Sequence, residues 1–157
     1  MDLAPNSIRL VEQALHMHLD ALSRTGRRSI VGVSCLAPGA DRVFAQVLLE
    51  LGGQLEAIIP PGDYTDHPAS PGLEDRPSLE DLLGRAMSVR WLTKPLARPE
   101  AYVAANDAML AAIDSLVAVW NGESSNKRGG TAHVVATARS RRIPVTVIWP
   151  AGAQRRG

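Results

Sequence analysis

Two glycine-bearing segments carry the residue types that can grip an anion. The first reads Ser34-Cys-Leu-Ala-Pro-Gly-Ala-Asp41-Arg42. In it Gly39 and Ala40 let a ligand approach the main chain, and Arg42 offers a guanidinium that can pair a phosphate through two parallel bonds. Asp41 can accept hydrogen bonds from ribose hydroxyls. The same residues also suit a plain turn in which Asp41 caps a helix, and the segment spells neither G-x-G-x-x-G nor a P-loop. The second segment runs Asn121-Gly122-Glu-Ser-Ser-Asn-Lys-Arg-Gly129-Gly130-Thr131. It leaves an apolar run and opens a helix with a glycine pair, so that consecutive N–H groups can face an anion while Thr131 adds its hydroxyl. The bland counterpart is a crossover loop with a Thr cap. Lys127 and Arg128 read as solvated tips that can close on a ligand.

Other polar residues are weaker candidates. Asp63, Tyr64, Asp66 and His67 form a polar cluster that suits either a lid or a decorated loop, with Asp63 and Asp66 the carboxylates of interest. His16 and His18 are two apart on a helix and point in different directions, which excludes shared metal ligation. Cys35 has no histidine base nearby in sequence, and a buried structural thiol is the commoner fate of such a residue. No Cys/His spacing supplies a zinc set, so neither metal nor cofactor is expected, and no catalytic residue is assigned.

Alternating elements must hold these loops in place. Ile8, Val11, Leu15, Leu19 and Leu22 recur at helical spacing, predicting a helix over 7–23 that Gly26 ends. Residues 29–34 (SIVGVS) read as a central parallel strand covered on both faces. A helix marked by Val43, Phe44, Val47, Leu48 and Leu51 closes at Gly52 and Gly53, and the strand 55–60 (LEAIIP) follows. Pro61, Pro68, Pro71 and Pro77 make 61–77 a long loop that cannot join a sheet. Ser78 and Asp81 suggest a capping box ahead of a short helix, then a strand at 88–92. A helix over 99–113 carries Tyr102, Met109, Leu110 and Ile113 on one side. A βαβ unit ends the chain, with strand 115–120, helix 131–142 and strand 145–149. The expectation is one α/β domain over 1–157: a Rossmann-like three-layer α/β/α fold with a mainly parallel sheet and helices on both faces.

Composition narrows the function. The 157 residues include one Phe, two Tyr and three Trp, so aromatic platforms for single-stranded nucleic acid are scarce. Seventeen Lys and Arg against 16 Asp and Glu leave a formal charge of +1, too balanced to mark a polyanion or an anionic membrane surface as partner. No apolar run is long enough for a membrane span, the N-terminus lacks a secretory pattern, and the lone Cys35 suits a reducing compartment. The expected setting is cytoplasmic.

Taken together, S-x-L-A-x-G-A-D-R at 34–42, Leu51-Gly52-Gly53, LEAIIP at 55–60, A-V-W-N-G at 118–122 and G-G-T-A at 129–132 resemble the SLOG superfamily. That superfamily is named after the DNA-processing protein A and LOG proteins, and the resemblance spans about residues 29–150. It implies a Rossmann-like domain that binds nucleotides, nucleotide sugars or related ligands, with Gly39, Ala40, Asp41 and Arg42 in one binding loop and Gly129, Gly130 and Thr131 in the other. It also implies a homodimer and a small phosphorylated, nucleotide-like ligand as partners. LOG enzymes hydrolyse the N-glycosidic bond of cytokinin nucleotides with a P-G-G-x-G-T-x-x-E signature. Here the residue three beyond Thr131 is Val134, and His133 stands where similar uncharacterised members have Glu, so the charge that would stabilise an oxocarbenium-like transition state is missing.

DNA-processing protein A shares S-G-L-A-x-G-I-D but uses a basic surface for single-stranded DNA, which the near-neutral charge here does not match. Proteins of this kind begin with a strand ending in a Gly-His or Gly-His-Arg turn, whereas Met1-Asp2-Leu3 runs almost directly into a helix. The first strand of the family is therefore expected to be missing, with Met1 inside the opening motif and a gap beside 29–34. The functional expectation is a nucleotide-binding or sensing domain in which Ser34, Asp63, Asn121 and Gly122 join the two loops around the ligand. The alternatives are a nucleoside 5′-monophosphate phosphoribohydrolase and a single-stranded DNA binder.

Overall fold

The computed structural model describes residues 3–25, 29–60, 77–93, 98–124 and 128–156. Five helices and five short strands alternate: α1 (Pro5–Thr25), β1 (Val31–Ser34), α2 (Ala40–Glu50), β2 (Gln54–Ile59), α3 (Leu79–Arg85), β3 (Ser88–Trp91), α4 (Arg98–Leu110), β4 (Leu116–Val119), α5 (Thr131–Ser140) and β5 (Val145–Ile148). All strand pairs are parallel, and the architecture is a small Rossmann-like α/β fold with helices on both faces.

Local chemistry sets the element ends. Proline is tolerated at the start of a helix, where its missing N–H has no partner to lose, so α1 opens at Pro5. Its stripe of Ile8, Val11, Leu15 and Leu19 is buried, each side chain contributing about 2 kcal/mol, whereas Leu22 near its end is 39% exposed. Helix α2 ends as the glycine pair predicts: Gly52 sits at φ 76° and the Gly53 N–H donates to the Leu48 carbonyl at 2.9 Å. The capping box of α3 is complete, with the Asp81 N–H donating to Ser78 Oγ and the Ser78 N–H donating to Asp81 Oδ2.

Helices α1, α2 and α3 share one core with Leu55, Ile59, Val119 and Ile148. On the opposite face α4 and α5 enclose Leu116 and Ala118, and Ala105 of α4 packs with Cys35 and Ile58. The register of β1 on β2 pairs Gly32 with Leu55, and Gly32 lies on the α2 side. A Cβ there would run into Leu48 and Phe44, so glycine is what lets α2 approach the strand.

The strands do not form one continuous sheet. β1, β2 and β3 make one block and β4 and β5 another. Among the described residues β1 pairs on one side only, with β2, and β4 on one side only, with β5. Coverage of β1 is also less complete than expected, since Val31 is 45% exposed. Among the described residues no helix is long and apolar enough to cross a membrane.

Candidate functional site

A cavity of about 1430 Å³ opens between β1 and β4. At its carboxyl rim it is lined by both glycine-bearing segments: Ser34, Cys35, Gly39, Ala40 and Asp41 from the first, and Arg128, Gly129, Gly130 and Thr131 from the second. This is where ligands bind in open α/β folds, outside the strand ends at the point where strand order reverses.

The first loop is shaped by its own bonds. The Leu36 N–H donates to Ser34 Oγ at 3.1 Å, and Leu36 takes a left-handed conformation, φ 53°, while fully buried. Gly39 lies at φ 95° and ψ −128°, a region that side chains exclude, and from there α2 begins. The Arg42 and Val43 N–H groups donate to the Gly39 carbonyl at 3.1 and 3.2 Å, and the start of α2 ahead of them carries the partial positive charge of a helix N-terminus at the cavity edge. Asp41 lines the cavity, and burial pushes its carboxyl above the usual carboxylate range against the opposing pull of the Ala37 N–H and Arg42. Burial, with the Asp41 charge adding to it, pushes the Cys35 thiol up to about 12. A thiol so placed stays protonated at neutral pH and is no nucleophile.

The second loop is braced from outside. Gly129 sits at φ 78°, with Gly130 the cap of α5 and Thr131 its first residue. Asn106 of α4 donates from Nδ2 to the Gly129 carbonyl at 2.9 Å, and its Oδ1 faces Cys35 Sγ at 3.9 Å. One side chain therefore ties the two loops together. Tyr102 packs under Gly129, where a Cβ would come within 2.9 Å of it. Asn106 was not among the residues the sequence singled out. The signal was present in its spacing: Tyr102, Asn106 and Met109 form one helical stripe on α4, and all three line the cavity.

Three expected binding residues stand apart from this lining. Arg42 is not among the lining residues, and its Nε donates to the Leu36 carbonyl at 3.2 Å. One position beyond Asp41 on a helix turns a side chain by about 100°, which separates the two. Asn121 and Gly122 are likewise outside the lining; Asn121 Oδ1 accepts from the Glu123 N–H at 3.2 Å, and Gly122 supplies φ 83° for that turn. Asp63, Tyr64, Asp66, His67 and Lys127 lie outside the described residues. Arg128 reaches the cavity and meets Glu100 at 3.8 Å, an exposed pair that contributes little.

The helix face that would carry a catalytic glutamate in a LOG-type site carries none. Val134 lines the cavity, and His133 is exposed. Among the described residues the carboxylates lining the cavity are Asp41, Glu56 and Asp114, of which Asp41 belongs to the glycine-loop rim. No group of three or more His, Cys, Asp or Glu converges among the described residues. The rim offers main-chain donors, the Thr131 hydroxyl, the Arg128 guanidinium and the half-buried Asp41 carboxyl, groups that can hydrogen-bond anions and hydroxyls. No family model matches the chain, and no curated protein matches it.

Proposed function

We propose that the chain is a nucleotide- or nucleotide-derivative-binding domain of SLOG type. The phosphate lies against the first-turn N–H groups of α5 with Thr131 and Arg128, and the ribose meets Asp41. The observation that carries the reading is the convergence of two glycine loops, from separate strand blocks, on one cavity rim. The Asp41 carboxyl can accept hydrogen bonds from ribose hydroxyls. The domain acts as a homodimer, for which exposed Met87 and Trp91 beside and within β3 offer apolar surface.

A thermal-shift series with nucleoside monophosphates, nucleotide sugars and ADP-ribose tests this. At about a hundredfold excess over Kd, a true ligand should raise Tm by on the order of 5 °C. Arg128→Ala should reduce that shift, and Arg42→Ala should leave most of it. No shift from any phosphorylated member of the panel would refute the reading. A phosphoribohydrolase reading draws on Asp41, whose raised pKa suits proton donation to a departing base. Val134 supports it poorly, and release of free base from the same monophosphates decides it.

A further inference from the structure

The segment that follows β5 brings a second guanidinium to the cavity, that of Arg156. Its place is set by the residues just before it. The Ala4 N–H donates to the Gln154 carbonyl at 3.0 Å, the Gln154 N–H donates to Ser7 Oγ at 2.7 Å, and Arg155 forms an antiparallel bridge with Leu3. Extended backbone sends successive side chains to opposite sides. Arg155 accordingly turns to the loop after β4, where its Nη1 lies 3.7 Å from Glu123 Oε2, and Arg156 turns to the cavity. The pair with Glu123 also places this segment at the carboxyl rim, the end of the cavity where the glycine loops lie.

Among the described residues Arg128 and Arg156 are the cations that line the cavity, and they reach it from opposite faces of the fold. Arg128 stands on the α4 face, where it meets Glu100 of α4 at 3.8 Å and the adjoining Gly129 packs on Tyr102. Arg156 stands on the α1 face, because the bonds from Gln154 run to Ala4 and Ser7 at the start of α1. Both side chains are exposed at the opening. Like charges that face one opening disfavour each other until an anion lies between them. A single phosphate seated at the start of α5 with Thr131 and Arg128 lies on one face only and leaves Arg156 across the opening from it.

We propose that Arg156 is a specificity-determining residue that takes a second phosphoryl group, so that the site selects a diphosphate over a monophosphate. The proposal rests on the nucleotide reading above and narrows it to nucleotides that carry two linked phosphoryl groups. Each guanidinium is a planar fork that can pair phosphate oxygens through two parallel bonds. In a diphosphate the two ionised groups are joined by one bridging oxygen, which lets Arg128 hold one from the α4 face while Arg156 holds the other from the α1 face. Arg155, turned to Glu123, has no part in the contact and serves as the control for net charge.

Calorimetric titration of the chain with AMP, ADP, orthophosphate and pyrophosphate tests this, alongside Arg156→Gln and Arg155→Gln. ADP should bind at least about tenfold more tightly than AMP, and pyrophosphate should exceed orthophosphate by a similar factor. Arg156→Gln should bring ADP down to the level of AMP while leaving AMP itself within about twofold. Arg155→Gln should leave both preferences in place, since an exposed ion pair contributes little. Equal affinity for AMP and ADP in the natural chain would overturn the proposal and leave the nucleotide reading standing. So would an equal loss for AMP and ADP in Arg156→Gln, or the same loss in Arg155→Gln, because either result reports net charge alone. Binding of pyrophosphate through Arg156 without binding of either nucleotide would remove the nucleotide reading and keep the paired arginines. Failure of all four compounds to bind would overturn both.

Discussion

The two glycine loops at the cavity rim reach similar ends by opposite means. The loop after β1 is braced from within: Ser34 Oγ takes the Leu36 N–H, Arg42 reaches back to the Leu36 carbonyl, and Asp41 takes the Ala37 N–H, all within nine residues of sequence. The loop after β4 is anchored at Gly129 by Asn106, 23 residues away on α4. A self-braced loop keeps its shape whether or not a ligand is present. A loop hung on a neighbouring helix depends on that helix for its position, so the loop after β4 is the one whose shape a change at α4 should alter.

The largest test of this contrast is Gly39→Val. A β-branched side chain at φ 95° and ψ −128° meets strain of about 3 kcal/mol, and the strain has nowhere to relax in a loop held by local bonds. Urea unfolding should show a loss of that size. A loss under about 1 kcal/mol would mean that the first loop yields, and the contrast between the two loops would fall.

Next in size is Asn106→Leu. It removes the bond to the Gly129 carbonyl and should cost about 1–2 kcal/mol. Its effect on ligand should be larger than its effect on stability, with the nucleotide-induced thermal shift falling while the first loop keeps its hydrogen-exchange protection. Asn106→Asp sharpens the point: a carboxylate cannot donate to that carbonyl, so it should behave like Leu despite its similar size. Retention of the full ligand shift in both variants would show that the second loop needs no brace.

The contrast also explains what could be read from the sequence. The first loop was legible because its constraints are local: Pro38, Gly39 and a polar residue at each end announce a turn, and Gly52-Gly53 announces the end of the helix that follows. Its one misplacement, Arg42, came from reading a charge by type without the helical rotation that carries it off the rim. Asn106 stayed hidden because its partner is brought in by the crossover from α4 to β4, and nothing near it in sequence asks for an amide. Of the stripe expected on α4, Leu110 is buried and Tyr102 and Met109 line the cavity, Ile113 lies beyond the helix end at Leu110, and the rest of the buried face is made of Ala101 and Ala105. Small residues leave no periodic apolar signal although they allow the closest helix approach. The alternation of strands and helices gave the fold, and the split of the strands into two blocks follows from pairing that only the three-dimensional arrangement reveals.

The smallest effect concerns charge within the first loop. Burial raises the Asp41 pKa above its unfolded value of 3.8. The folded state therefore binds the proton more tightly, so this contribution to stability is fully present below the unfolded pKa and is lost as pH rises through the folded pKa. Asp41→Asn mimics the neutral form at every pH. It should flatten that part of the stability profile and leave the protein slightly more stable than the natural chain near neutral pH, by less than the change at Gly39 or Asn106. Because the amide still accepts through its carbonyl but no longer titrates, ligand binding by the variant should lose its pH dependence across the same window. Parallel Tm-against-pH curves for the two proteins check this, and identical curves would mean that the Asp41 carboxyl is as well solvated in the folded loop as in the unfolded chain.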